Sequence, residues 1–124
     1  LVDLVETAID GKLEATGAQW DPRPSLGVVM AAAPYPDAPR TGDVIVGLDD
    51  VPTTAKVFHA GTALDAEGRV VSAGGRVLCV AALGESVSDA QRNAYAGVAK
   101  VRWTNEFHRT DIGWRAIARE RAGA

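Results

Sequence analysis

From residue 26 to residue 83 the chain is a series of short apolar runs cut by glycine, proline and aspartate, and this punctuation leaves room for strands but not for long helices. Residues 26–33 form an uncharged run with two valines, short enough for a buried strand, and Pro34-Tyr35-Pro36 stops it. Residues 43–48 (Asp-Val-Ile-Val-Gly-Leu) predict a second strand, turned by Asp49-Asp50-Val51-Pro52, and residues 56–60 predict a third. Asp65-Ala66-Glu67-Gly68 reads as a hairpin loop before a strand at 69–72, and Gly74-Gly75 separates that strand from another at 76–83. Short strands this close together, joined by tight turns, imply a largely antiparallel sheet.

At Gly84 the period changes. Ser88-Asp89-Ala90-Gln91 has the form of a capping box, and Ala90, Ala94, Val98 and Val101 follow at helical spacing, so a helix is predicted over 88–101. Residues 103–109 have no clear period, after which Thr110 or Asp111 is expected to cap a last short helix through Arg119, with Ile112, Ala116 and Ile117 on one side. At the other end, Leu1, Leu4, Val5, Ala8 and Ile9 form an apolar helical stripe stopped by Gly11. Residues 14–24, with Gly17, Pro22 and Pro24, read as a linker, which divides the chain into 1–24 and 25–124. A start on Leu1 with no helix cap predicts further chain upstream. The expected fold class is α+β: a small, mainly antiparallel sheet or partial barrel with flanking C-terminal helices, preceded by one helix.

The balance of 13 basic and 16 acidic residues, a net charge of −3, argues against a nucleic-acid or membrane surface as the main partner. Residues 100–124 hold 6 of the basic residues against 3 acidic ones, without an aromatic ladder, and this fits a solvated helix face. At 124 residues folding buries roughly two-thirds of the extended chain's surface, enough for one core. Cys79 is alone, so no internal disulfide forms, and no apolar run approaches a membrane span. A soluble protein of the reducing cytoplasm is expected.

Among residues that could carry chemistry, Gly74-Gly75-Arg76 stands out: two glycines let the backbone approach an anion, and Arg76 can fork onto phosphate or carboxylate. The same residues would equally serve a hairpin or bulge that needs positive φ, with Arg76 a surface charge. Alternation along 56–60 puts Val57 and His59 on one face and Lys56 and Phe58 on the other, which makes His59 a candidate contact for a substrate oxyanion. His108 reads as structural, Cys79 as a core thiol, Asp49-Asp50 as turn capping, and Trp20, Trp103 and Trp114 as packing anchors. The two histidines lack Cys or carboxylate partners at ligand spacing, and no Walker loop, dinucleotide fingerprint, zinc signature or serine elbow occurs.

Taken in order, Val29-Met-Ala-Ala-Ala33 with Tyr35-Pro36, Thr41-Gly-Asp-Val-Ile45, Lys56-Val-Phe-His-Ala-Gly-Thr62, Gly74-Gly-Arg-Val-Leu-Cys-Val80 with Ala82-Leu-Gly84, and Arg109-Thr-Asp-Ile-Gly113 form a series. It resembles the C-terminal portion of the phosphoribosylamine–glycine ligase family, over nearly the whole chain. The resemblance implies an ATP-grasp enzyme of purine biosynthesis that joins glycine to 5-phosphoribosylamine through glycyl phosphate. It implies that the opening helix is the last of the ATP-grasp region and that the rest is a small β-rich domain against the active site. ATP and magnesium or manganese would be bound upstream, none of them by this chain, which would hold no catalytic residue and be silent alone. Gly74, Gly75 and Arg76 would form the ribose-phosphate side of the phosphoribosylamine pocket, with Lys56 and His59 as further candidates. Pro34 stands where the family commonly has Gly, and Ala81 where it has Thr, so a hydroxyl is lost at that position. The competing reading from another class is a stand-alone module that binds a phosphorylated metabolite or a protein through the same loop.

Overall fold

The computed structural model describes residues 1–123. Helix α1 (Val2–Ile9) and a short turn at Leu13–Ala15 lead through an extended segment to β1 (Ser25–Ala32). Then come β2 (Ala55–His59), β3 (Thr62–Leu64), β4 (Val70–Ser72), β5 (Arg76–Leu83), α2 (Val87–Val98), β6 (Glu106–His108) and α3 (Trp114–Ala122). Four strands form one antiparallel sheet in the order β2-β5-β1-β6, and β3 and β4 pair as a separate hairpin around the Asp65–Gly68 turn. The α+β class expected from the sequence is what the chain adopts.

The period of two decides which side of the sheet is covered. Leu26, Val28 and Met30 of β1 stand opposite Ala82, Val80 and Leu78 of β5, and all six are buried. Ala90, Ala94 and Val98 of α2 pack on them, joined by Ile45, Val101 and Trp103. Gly97 brings the helix close, since a Cβ there would lie 2.8 Å from Val80 Cγ1 and 3.1 Å from Ala55 Cβ. A register shift between Met30 and Ala31 lets Met30, Ala31 and Ala32 all be buried at the end of β1.

Several expectations change in the folded chain. Residues 43–48 are extended but form no strand: Val44 bridges Val71 on one side, Val46 bridges Arg102 on the other, and Gly47, at φ 82°, ends the run. The segment thus stitches the β3–β4 hairpin to the main body without a continuous partner of its own. Helix α2 is capped by Ser86, whose Oγ accepts the Asp89 N–H at 3.0 Å, so Ser88 is not the cap. Gln91 instead donates to the Ile112 carbonyl at 2.7 Å. The helix ends at Val98, although Val101 is buried beyond it through a tight turn (Val101 N–H to Val98 O, 3.2 Å). Neither Thr110 nor Asp111 caps α3, which starts behind Gly113 with no side-chain cap, while Asp111 pairs with Arg109 at 2.6 Å. The unperiodic stretch 103–109 contains β6, three residues long and therefore too short for a visible alternation. Of the tryptophans only Trp103 is a packing anchor, because Trp20 is 85% and Trp114 54% exposed. Cys79 is half-buried on the sheet face away from α2 rather than in the core, and partial burial pushes its thiol up from its ordinary value.

The C-terminal segment is tied to α2 by polar contacts. Tyr95 Oη donates to the Arg109 carbonyl at 2.6 Å and accepts from the Ile112 N–H at 3.1 Å. Glu120 of α3 accepts from the Val87 N–H at 2.7 Å, the Ser88 N–H at 3.2 Å and the Ser88 hydroxyl at 2.9 Å. A carboxylate thereby closes the positive end of α2. The Val87 N–H and then the Ser88 hydroxyl hold the Glu120 carboxyl below its ordinary 4.5. A lowered folded-state value means that this docking is fully present above pH 4.5 and is lost as pH falls through the folded value. Acid titration followed by circular dichroism should therefore show a low-pH loss of stability that Glu120→Gln reduces, and Glu120→Ala should lower the melting temperature at neutral pH. Met30→Ala, in the centre of the core, should cost about 2–5 kcal/mol in urea unfolding.

Candidate functional site

Strand β5 begins at Arg76, and the backbone just before it crosses the end of β2 at van der Waals distance. The Ala73 N–H donates to the Gly61 carbonyl at 2.8 Å, and the Gly61 N–H donates to the Arg76 carbonyl at 2.9 Å. A Cβ on Gly61 would sit 2.7 Å from the Arg76 carbonyl oxygen and 2.9 Å from Gly74 Cα, so the crossing closes only with glycine there. Gly75 has another neighbour: a Cβ would lie 2.9 Å from the Tyr35 ring. Neither Gly74 nor Gly75 has a positive φ, so the pair serves close approach and not a left-handed turn.

Tyr35 lies in the loop that follows β1, flanked by Pro34 and Pro36. Its ring covers Gly75, its hydroxyl accepts a hydrogen bond from Arg76 Nη1 at 2.8 Å, and the guanidinium carbon stands 5.9 Å from the ring centroid. Arg76 is solvent-exposed, aimed by one bond and one ring, and its other N–H donors have no hydrogen-bond partner among the described residues. His59, exposed at the end of β2, places Nδ1 3.1 Å from Thr62 Oγ1. It is opposite Leu78, two residues along β5 from Arg76, a distance of roughly 7 Å. On the other flank of the same loop, Arg40 pairs with Asp43 at 3.2 Å, and the Asp43 N–H donates to the buried Ser72 hydroxyl.

Gly74, Gly75, Arg76 and His59 thus share one end of the sheet, and Lys56 does not join them. Lys56 is opposite Ala81, five residues from Arg76 along β5, or roughly 17 Å away. There it lines a cleft of about 1030 Å³ with Arg23, Phe58, Ala81, Asp89 and Arg92. Of the other charges of this cleft, Arg92 pairs with Asp89 and Arg23 with Asp21, while Glu85 forms no ion pair among the described residues. The side-chain bond from Arg23 draws the Asp21 carboxyl down to about 2. His108, read from the sequence as structural, bonds to Glu106 with its ring 6.3 Å from that of Tyr95. Among the described residues no three His, Cys, Asp or Glu side chains gather into a metal cage. Tyr35 was legible in the sequence only as the companion of a proline; nothing local pointed to Arg76, 41 positions away.

A family model described as the phosphoribosylglycinamide synthetase C domain matches residues 25–115, the strands, α2 and the start of α3. The chain belongs to that family. Among curated relatives, a phosphoribosylamine–glycine ligase of Xanthomonas campestris is 74% identical over 121 residues, which is 98% of this chain and 28% of the relative. The ligase of the same description from Salmonella typhimurium is 54% identical over 121 residues, 97% of this chain and again 28% of the relative. A crystal structure of the phosphoribosylamine–glycine ligase of Thermotoga maritima superimposes with a TM-score of 0.69 at 31% identity, covering 86% of this chain and 27% of that one. This phosphoribosylglycinamide synthetase C domain therefore spans little more than a quarter of the length of the relatives it matches, and it shares its α+β fold with the Thermotoga protein.

The geometry around Gly75 makes one outcome specific. Gly75→Ala must displace the Tyr35 ring and should cost about 1–3 kcal/mol in denaturant unfolding. Gly17→Ala, where a Cβ meets nothing within 4 Å, should leave the midpoint unchanged.

Proposed function

We propose that this domain is the C-terminal part of a longer cytoplasmic ligase that joins glycine to 5-phosphoribosylamine with ATP in purine biosynthesis. In this reading the glycine carboxylate takes the terminal phosphoryl group of ATP, the amine attacks the acyl carbon, and phosphate leaves. The observation that carries it is the family match over residues 25–115, supported by relatives that bear the ligase description and are far longer than this chain. Residues 1–24 then belong to the ATP-grasp region and its linker, and 25–124 form the C-terminal domain. ATP and a magnesium or manganese ion are held by the rest of the polypeptide, since this chain carries no Walker-type loop for a triphosphate. The 124 residues alone are catalytically silent for the same reason, because phosphoryl transfer needs metal and positive charge around the triphosphate.

Within that enzyme the domain forms one wall of the phosphoribosylamine pocket, which keeps the acyl phosphate from water. Arg76 faces the substrate phosphate, because Tyr35 fixes one edge of the guanidinium and leaves the rest for an anion. Gly74 and Gly75 let the ligand approach the backbone, and the neighbouring His59 is placed to contact the ribose-phosphate. Lys56 faces a separate cleft, and as a candidate it serves a different part of the ligand or of the protein.

The complete ligase with Arg76→Ala should need about 10- to 150-fold more phosphoribosylamine to half-saturate, the equivalent of about 1.5–3 kcal/mol for a charged hydrogen bond. Its KM values for ATP and glycine should change little. An unaltered KM for the amine would remove Arg76 from the pocket.

A further inference from the structure

The four-stranded sheet has one face under α2 and one face uncovered. Phe58, Cys79 and Val29 lie in register across β2, β5 and β1 on the uncovered side, with Lys56, Ala81 and Gly27 in the next row. Phe107 of β6 points the same way, because its neighbour His108 faces Tyr95 of α2. Phe58 is 54%, Phe107 48% and Val29 44% exposed, whereas their neighbours Gly27 and Ala81 are small enough to leave a shallow trough. An antiparallel sheet can show a polar face to water, but a row of aromatic and aliphatic side chains calls for a cover. At its β2 end the row runs into the cleft of about 1030 Å³, since Phe58 and Ala81 line both.

We infer that this uncovered sheet face is the surface on which the remainder of the longer ligase polypeptide packs. The inference rests on the reading of the chain as one domain of that ligase. The curated relatives carry 72% of their length outside the matched segment, so a large body of the same polypeptide is at hand to cover it. Area separates this occupant from a second copy of the domain. Two half-exposed phenylalanines supply roughly 200 Å², given about 150–250 Å² per ring, and the valine adds less. A free-standing protein interface buries about 800 Å² per partner, somewhat over half of it apolar, so the apolar row falls well short of what holds a dimer. A covalently tethered neighbour needs far less, because its effective concentration is already in the millimolar range.

Cys79, the one cysteine of the chain, sits in the middle of the row and reports on its cover. Trypsin cleavage after Arg76 and Arg92 releases residues 77–92, with Cys79 as its single thiol, so alkylation can be read by mass spectrometry in any longer protein. The rate should be at least tenfold slower in the complete ligase than in the 124-residue chain, and Phe58→Asp in the complete ligase should restore it towards the free rate. Circular dichroism of the same variant in the short chain, where Phe58 lies half-exposed on the sheet surface, should be unchanged. Equal rates in the two wild-type proteins, with the complete protein active as a ligase, would overturn the docking surface and leave the functional reading standing. Equal rates with no ligase activity would overturn both. Sedimentation showing a dimer of the short chain with Cys79 protected would assign the face to self-association instead.

Discussion

Everything in this domain is arranged around the packing of α2 on one face of the β1–β5 pair. Burial of Val28, Met30, Leu78, Val80 and Ala82 against Ala90, Ala94 and Val98 removes the largest block of apolar surface from water, and it works only because the facing helix residues are small. Gly97 lets the helix come within contact of Val80 and Ala55. Once that layer is set, the strand register is set too. A slip of one residue would turn Val28 and Val80 to solvent.

The candidate site follows from the same register. Pairing β2 with β5 brings His59 beside Leu78 and leads the chain straight into the Gly61–Gly74 crossing, which launches Arg76 at the first position of β5. The loop after β1 then folds back so that Tyr35 rests on Gly75 and takes a hydrogen bond from Arg76. Three segments from different parts of the chain thereby aim one guanidinium outward. The covered face supplies the stability, and the rim of the sheet presents the exposed Arg76 guanidinium.

The polar seams have a different task. Gln91, Tyr95 and Glu120 hold the C-terminal segment to α2 through main-chain donors and acceptors, so α3 docks although only Ile117 of its side chains is buried. Such bonds specify orientation more than they add stability, since each replaces a bond to water. By contrast, the uncovered sheet face and the exposed stripe of α1 lack any such partner within the described chain, and this asymmetry fits a domain that works as part of a larger whole.

The local pattern of the sequence was enough for the apolar runs that became β1, β2 and β5, for the Asp65–Gly68 hairpin, for the body of α2 and for the family to which the chain belongs. Each of these is written in neighbouring residues, as a period, a turn or an ordered motif. It was not enough where tertiary contacts chose between near equals. Ser86 rather than Ser88 caps α2 because Ser88 is held by Glu120 from 32 positions away. Residues 43–48 failed to become a strand because their partners lie on two separate segments, Val71 in β4 and Arg102 after α2, and β6 formed because β1 offered it an edge. Composition and motif proposed Gly74, Gly75, Arg76, His59 and Lys56 as one group. Only the strand register separated Lys56 from the others, and only the folded loop brought Tyr35 to Arg76, because side-chain proximity across a sheet depends on pairing that no local pattern encodes.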